Sequence, residues 1–229
     1  AVTSNLTALR VCKPKINFGC DQSTIPEKGN FFIKGKIFDH QKAAIENWVL
    51  IWESKQDYCT EFETTLTKAA HNMGVRLNRP KVLQLVHKKT QPLENSLSDI
   101  LKTAAQSKPQ ITIILAEKNV EKNGYKPFKK ICRENGLQSQ VALVDFKNFE
   151  KKGYFDSLIR QIASKVGFRG WTVQRPIDLP KKEILMMIGA DVYHKRGKES
   201  VAAVVASIDP DFSRFVSRSC VQPKNGQEV

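Results

Sequence analysis

The sequence predicts an α/β fold: a parallel sheet covered by helices on both faces, followed by an antiparallel meander that opens a second domain. Two observations carry this. From about Asn47 to Gly167, short apolar runs rich in β-formers alternate with segments whose apolar residues recur at helical spacing. After Trp171 the alternation stops, and three apolar segments follow with short links and no helix between them. A hydrophobic fraction of 41% over 229 residues is enough for a packed core.

Each element has its own signal. The stretch to about Lys36 is broken by Pro14, Gly19, Pro26, Gly29 and Gly35, and reads as short strands and turns. Asn47 to Trp52 is an apolar run suited to a buried strand. Tyr58 to Met73 places Phe62, Leu66, Ala69, Ala70 and Met73 near helical spacing, and Gly74 follows as a stop. Lys81 to Val86 reads as a strand. Leu93 to Ala105 reads as a helix with Leu97, Ile100, Leu101 and Ala104 on one face. Ile111 to Ala116 is an apolar strand, and Tyr125 to Glu134 a helix ended by Asn135-Gly136. Gln140 to Val144 is a strand. Phe155 to Val166 is a helix with Leu158, Ile159 and Ile162 inward, closed by Gly167. The segments ILMMIGADV, VAAVVASI and SRFVSRSCV form the meander, whose edge has nothing evident to cover it. The expectation is a fragment of a larger protein.

The chain carries 37 Lys+Arg against 23 Asp+Glu, a net charge of +14. Between Lys118 and Lys182 stand fifteen Lys/Arg and six Asp/Glu, so +9 of the excess lies there. That balance favours a polyanionic partner, nucleic acid first and an acidic membrane surface second. No apolar run approaches the roughly 20 residues that span a bilayer. The five cysteines (Cys12, Cys20, Cys59, Cys132, Cys220) are odd in number and widely spaced, with no CxxC pair and four scattered His. This gives no zinc framework and predicts reduced thiols in an intracellular compartment, cytoplasmic or nuclear.

Ligands of open α/β sheets sit at the carboxyl ends of the strands. The loop from Glu117 to Gly124 leads into the helix at Tyr125, whose N-terminus would offer free amides to an anion. Pro127, tolerated in a first turn, fixes that helix start near Asn123–Lys126. Tyr125 and Lys129 are four apart and share a helix face, as do Gln161 and Lys165. Gln140 stands at a strand start. By spacing alone these features also suit a solvated basic helix, a surface glutamine, and a lysine complementing a helix dipole.

Taken in order, the residues resemble the MID domain of the Argonaute/Piwi family followed by the beginning of a PIWI domain. The matching stretches are Tyr125-Lys126-Pro127-Phe128-Lys129-Lys130, Gln138-Ser139-Gln140-Val141, Gln161 to Gly167 and Trp171-Thr172-Val173. The sharpest is Gly189-Ala190-Asp191-Val192-Tyr193-His194, similar to the family's G-x-D-V-x-H strand. Gly35 to Trp52 is similar to the linker leading into MID. The resemblance implies linker strands over 1–45, a Rossmann-like MID domain over 46–175, and the truncated start of an RNase H-like PIWI domain over 176–229.

It also implies roles. The MID domain would hold the phosphorylated 5′ end of a small guide RNA for gene silencing. Tyr125 would stack on the first base, and Lys129, Gln140 and Lys165 would contact the phosphate. Gln161, a Piwi-like choice, would go with a divalent cation such as Mg2+ at that phosphate. Asp191 matches the first carboxylate of the family's two-metal cleaving set. One Asp cannot hold two metal ions, so this implies a guide-directed endonuclease only for a longer protein, with target RNA as its substrate. Phe168 departs from the family, which often has a second Gly there. A small-nucleotide module is the remaining reading, although neither GxGxxG nor GxxxxGK[ST] occurs.

Overall fold

The computed structural model describes residues 13–28, 35–53, 56–86, 91–116, 120–143, 153–174, 185–194 and 199–222. Val144, Lys118 and the Lys181-Lys182 pair lie outside them. The described residues fall into two compact units, one from 35 to 170 and one made of residues before and after it.

The 35–170 unit is built on a four-stranded parallel sheet. Its strands are β4 (Trp48–Trp52), β6 (Lys81–Gln84), β7 (Ile111–Ala116) and β8 (Ser139–Leu143), in the order β6-β4-β7-β8. Their connections contain α1 (Gln56–Asn72), α2 (Leu93–Ala105) and α3 (Tyr125–Glu134), and α4 (Tyr154–Val166) follows β8. β4 and β7 are buried along nearly their whole length, as strands covered on both faces must be. Alternate residues feed two cores. Leu50, Ile113 and Leu115 meet Phe62 and Leu66 of α1 and Leu158, Ile159 and Ile162 of α4. Val49, Ile51 and Ile114 meet Leu97 and Leu101 of α2 and Phe128 and Ile131 of α3. Thr112 shares the second face and is fully buried; its Oγ1 has no hydrogen-bond partner among the described residues.

The helices end where their glycines predict. Gly136 (φ +66°) and Gly167 (φ +97°) take the left-handed conformation after α3 and α4. The next amides, Leu137 N and Phe168 N, donate back to Cys132 O (2.8 Å) and Ala163 O (2.9 Å). Phe168 has no left-handed φ and packs on the first core, so a second glycine is not required there.

Residues 37–45, assigned to a linker by their sequence, join this unit: Ile37, Ala43 and Ile45 are buried in the first core. The two-residue strands β3 (Ala44–Ile45) and β5 (Arg76–Leu77) pair in parallel beside the main sheet. Too short to show any periodicity, they left no sequence signal. The ends of the unit meet: Asp39 and Arg169 form a bidentate ion pair, and Phe38 N donates to Gly170 O at 3.0 Å.

In the other unit β1 (Ile16–Asn17) pairs antiparallel with β2 (Ser23–Thr24) and β9 (Thr172–Val173). The expected meander is present as β10 (Ile188–Tyr193), β11 (Ser200–Ser207) and β12 (Phe215–Gln222), paired in order with Asp191 opposite Ala203. Among the described residues Cys59 and Cys132 are buried, Cys20 and Cys220 exposed, and no helix is long and apolar enough to cross a membrane.

Candidate anion-binding site

β8 is the edge strand of the parallel sheet, with α3 against one face and α4 against the other. Both helices send a lysine over the edge. Lys129, midway along α3, donates from Nζ to Ser139 O (2.9 Å) and Ser139 Oγ (3.0 Å). Lys165, in the last turn of α4, donates to the same Ser139 O (2.8 Å) and to Gln140 Oε1 (2.7 Å). Gln140, buried, donates from Nε2 to Val141 O (2.9 Å) and to Gln161 Oε1 (3.2 Å). The Tyr125 ring is about half exposed and lies 6.0 Å from Lys129 Nζ. Tyr125, Lys129, Gln140, Gln161 and Lys165, drawn from three segments of sequence, thus form one chain of contacts.

The place differs from the expected one. The cluster gathers at the amino end of β8, on its outer edge, and not in the crevice at the carboxyl ends. Tyr125 does not stand at a free helix N-terminus either. A π turn over Val120–Gly124 runs straight into α3. Pro127 has no N–H for an α-helical bond to Asn123, and its ring would meet that carbonyl; a wider preceding turn accommodates both facts. With Lys165 at the carboxyl end of α4, the helix dipole there opposes an anion, so the lysines must supply the positive potential.

Burial and mutual repulsion set the electrostatics. Lys165 is lowered to about 8, first by burial and then by the charge of Lys129. Lys129 is also lowered by burial, partly offset by Cys132 and by its interaction with Lys165. The Cys132 thiol beneath them is pushed up to about 11 by burial, against the pull of Ser139 and Lys129, so it is neutral and no nucleophile. Two crowded ammonium groups on a neutral carbonyl are a site arranged for an anion. Around Gln161 the oxygens are amide oxygens, with the Lys165 ammonium on that of Gln140. Such a donor set does not by itself fit Mg2+, which takes carboxylate or phosphate oxygens.

An open cavity of about 390 Å³ adjoins the lysines, lined by Lys129, Arg133, Gly136, Gln138, Ser139 and Lys165. Neither Ser139, the shared acceptor, nor Arg133 was singled out from the sequence as a site residue. A serine at a strand start and an arginine in a last helical turn carry no signal of their own.

Asp191 lies apart from this cluster in sequence and in unit. It is exposed on β10, and its Oδ1 accepts from Val192 N at 2.9 Å. No group of three or more His, Cys, Asp or Glu able to hold a metal occurs among the described residues.

The 35–170 unit is a doubly wound α/β module with paired lysines over its edge strand. The Piwi domain model matches residues 110–229, more than half of the chain. The chain is 28% identical over 193 residues to Piwi-like protein 1 of Gallus gallus, covering 81% of this chain and 21% of that protein. The crystal structure of Drosophila Piwi superposes with a TM-score of 0.75 at 18% identity, over 93% of this chain and 30% of that one. That of Kluyveromyces polysporus Argonaute with a guide RNA gives 0.73 at 18%, over 96% and 30%. The chain belongs to the Argonaute/Piwi family. It spans about a fifth of the length of the curated relatives it matches.

Proposed function

We propose that the 35–170 unit is a MID domain that anchors the 5′-phosphorylated end of a small guide RNA. The observation that carries this is the convergence of Lys129 and Lys165 on one carbonyl beside Gln140, with an exposed aromatic ring one helical turn away. A terminal phosphate brings more charge and more acceptor oxygens than an internal diester. It replaces Ser139 O and Gln140 Oε1 as the acceptor for both ammonium groups and relieves their repulsion. The Tyr125 ring offers a stacking surface to the unpaired first base. The family membership and the guide RNA in the Kluyveromyces polysporus structure support the ligand class. Gene silencing by the longer protein, and target RNA as its second partner, follow as parts of the same proposal.

The test is binding of one short RNA carrying either a 5′ phosphate or a 5′ hydroxyl, at fixed salt. The phosphate form binds more tightly, and Lys129→Ala or Lys165→Ala each removes about 10- to 100-fold of that advantage. Equal binding of the two RNAs, governed by salt alone, would sink the reading.

A further inference from the structure

Tyr125, Lys129 and Arg133 follow one another at four-residue intervals along α3, a rise of about 6 Å at each step. If Tyr125 receives the first base and Lys129 the 5′ phosphate, Arg133 lies beyond the phosphate, on the side away from the nucleoside. The space there is open. Arg133, Gly136 and Gln138 line the same cavity as Lys129 and Lys165, and no carboxylate lines it. Its volume of about 390 Å³ falls in the range of pockets that hold whole small molecules, roughly 300–1,000 Å³, more than one phosphate group requires. The Arg133 side chain makes no hydrogen bond or ion pair among the described residues, and the residue is exposed. A monophosphate held by Lys129, Lys165 and Gln140 would leave this third cation and this space unused.

We infer that the site takes 5′-di- or triphosphorylated strands, with the first phosphate on Lys129 and Lys165 and the outer phosphates paired by Arg133. The planar guanidinium suits this task, because it binds phosphate oxygens in bidentate fashion. The inference rests on the 5′-end reading above and narrows its ligand to a chemical class.

The experiment uses the whole chain and one RNA sequence with a 5′ hydroxyl, monophosphate or triphosphate, plus a free nucleoside triphosphate as competitor. The triphosphorylated strand is expected to bind about tenfold more tightly than the monophosphorylated one. In Arg133→Gln that ratio falls to near one. In Lys130→Gln, which removes the same charge from an exposed position outside the cavity, the ratio persists. Equal or weaker triphosphate binding, with the monophosphate still preferred over the hydroxyl, overturns this inference and leaves the 5′-end reading standing. Loss of the ratio in both variants assigns it to general charge and overturns it too. A free nucleoside triphosphate that competes as well as the strand overturns it in favour of a mononucleotide ligand. Equal binding of all three RNAs removes the 5′-end reading itself.

Discussion

Lys129 of α3 and Lys165 of α4 donate to the same oxygen, the carbonyl of Ser139, at 2.9 and 2.8 Å. Two like charges are thereby held together before any ligand arrives. An anion would relieve that repulsion, as loss of a proton from Lys165 does, and the lysines would need little rearrangement to meet one.

The first prediction concerns pH. Lys165 ionises at about 8 in the folded chain, against 10.5 for a free lysine. A bound phosphate favours the charged form, so the advantage of a 5′ phosphate falls as pH rises through about 8. It also falls below about 6, where the phosphate dianion takes up a proton. Titrating phosphate-dependent affinity from pH 5 to 10 gives a bell, and Lys165→Met loses its alkaline limb. Stability runs the other way. Between about 8 and 10.5 the unfolded chain binds the extra proton, so stability rises with pH across that window. Lys165→Met lacks this contribution in urea denaturation.

Tyr125→Ala removes the exposed ring and costs about 1–3 kcal/mol of strand binding. The loss should be similar for 5′-phosphate and 5′-hydroxyl RNA, because stacking does not read the phosphate. A loss confined to the phosphate form would place Tyr125 in phosphate contact instead.

Thr112→Val should stabilise the chain by about 1 kcal/mol. The hydroxyl is fully buried with no hydrogen-bond partner among the described residues, and valine keeps the shape while removing its desolvation cost. Chemical denaturation measures it.

Gly74→Ala should destabilise by about 1–3 kcal/mol. Gly74 has φ +71°, and a Cβ there would stand 2.7 Å from His40 Cβ. Gly136→Ala, where a Cβ meets nothing within 4 Å, is strained by its φ alone and should cost less.

Asp39→Ala should cost about 1–3 kcal/mol, because it removes the bidentate carboxylate partner of the Arg169 guanidinium in a largely buried setting. Thermal unfolding of the chain and of this variant provides the comparison.

The elements legible in the sequence were those with apolar runs or periodic faces: β4, β6, β7, β8, the meander strands β10 to β12, the helices α1 to α4, and the glycines at 136 and 167. β3 and β5 were not, because two residues show no period. The site was legible only through family resemblance. Four-residue spacing joined Tyr125 to Lys129 and Gln161 to Lys165, but nothing local reports that α3 and α4 flank the same edge strand. Tertiary structure alone reveals that Ser139 O is the meeting point. The general rule for open sheets pointed to the carboxyl ends of the strands, whereas the lysines gather where an edge strand leaves a carbonyl free at its opposite end.

Asp39 and Arg169 are separated by most of the 35–170 unit, yet their side chains interlock and the backbone beside them is bridged. The polypeptide therefore enters and leaves this unit at one spot. Units with adjacent ends tolerate being grafted into a loop of another protein, or having their connectivity reopened elsewhere. The two lysines and the edge strand would travel together in such a transplant, since every segment that builds them lies inside the clasp.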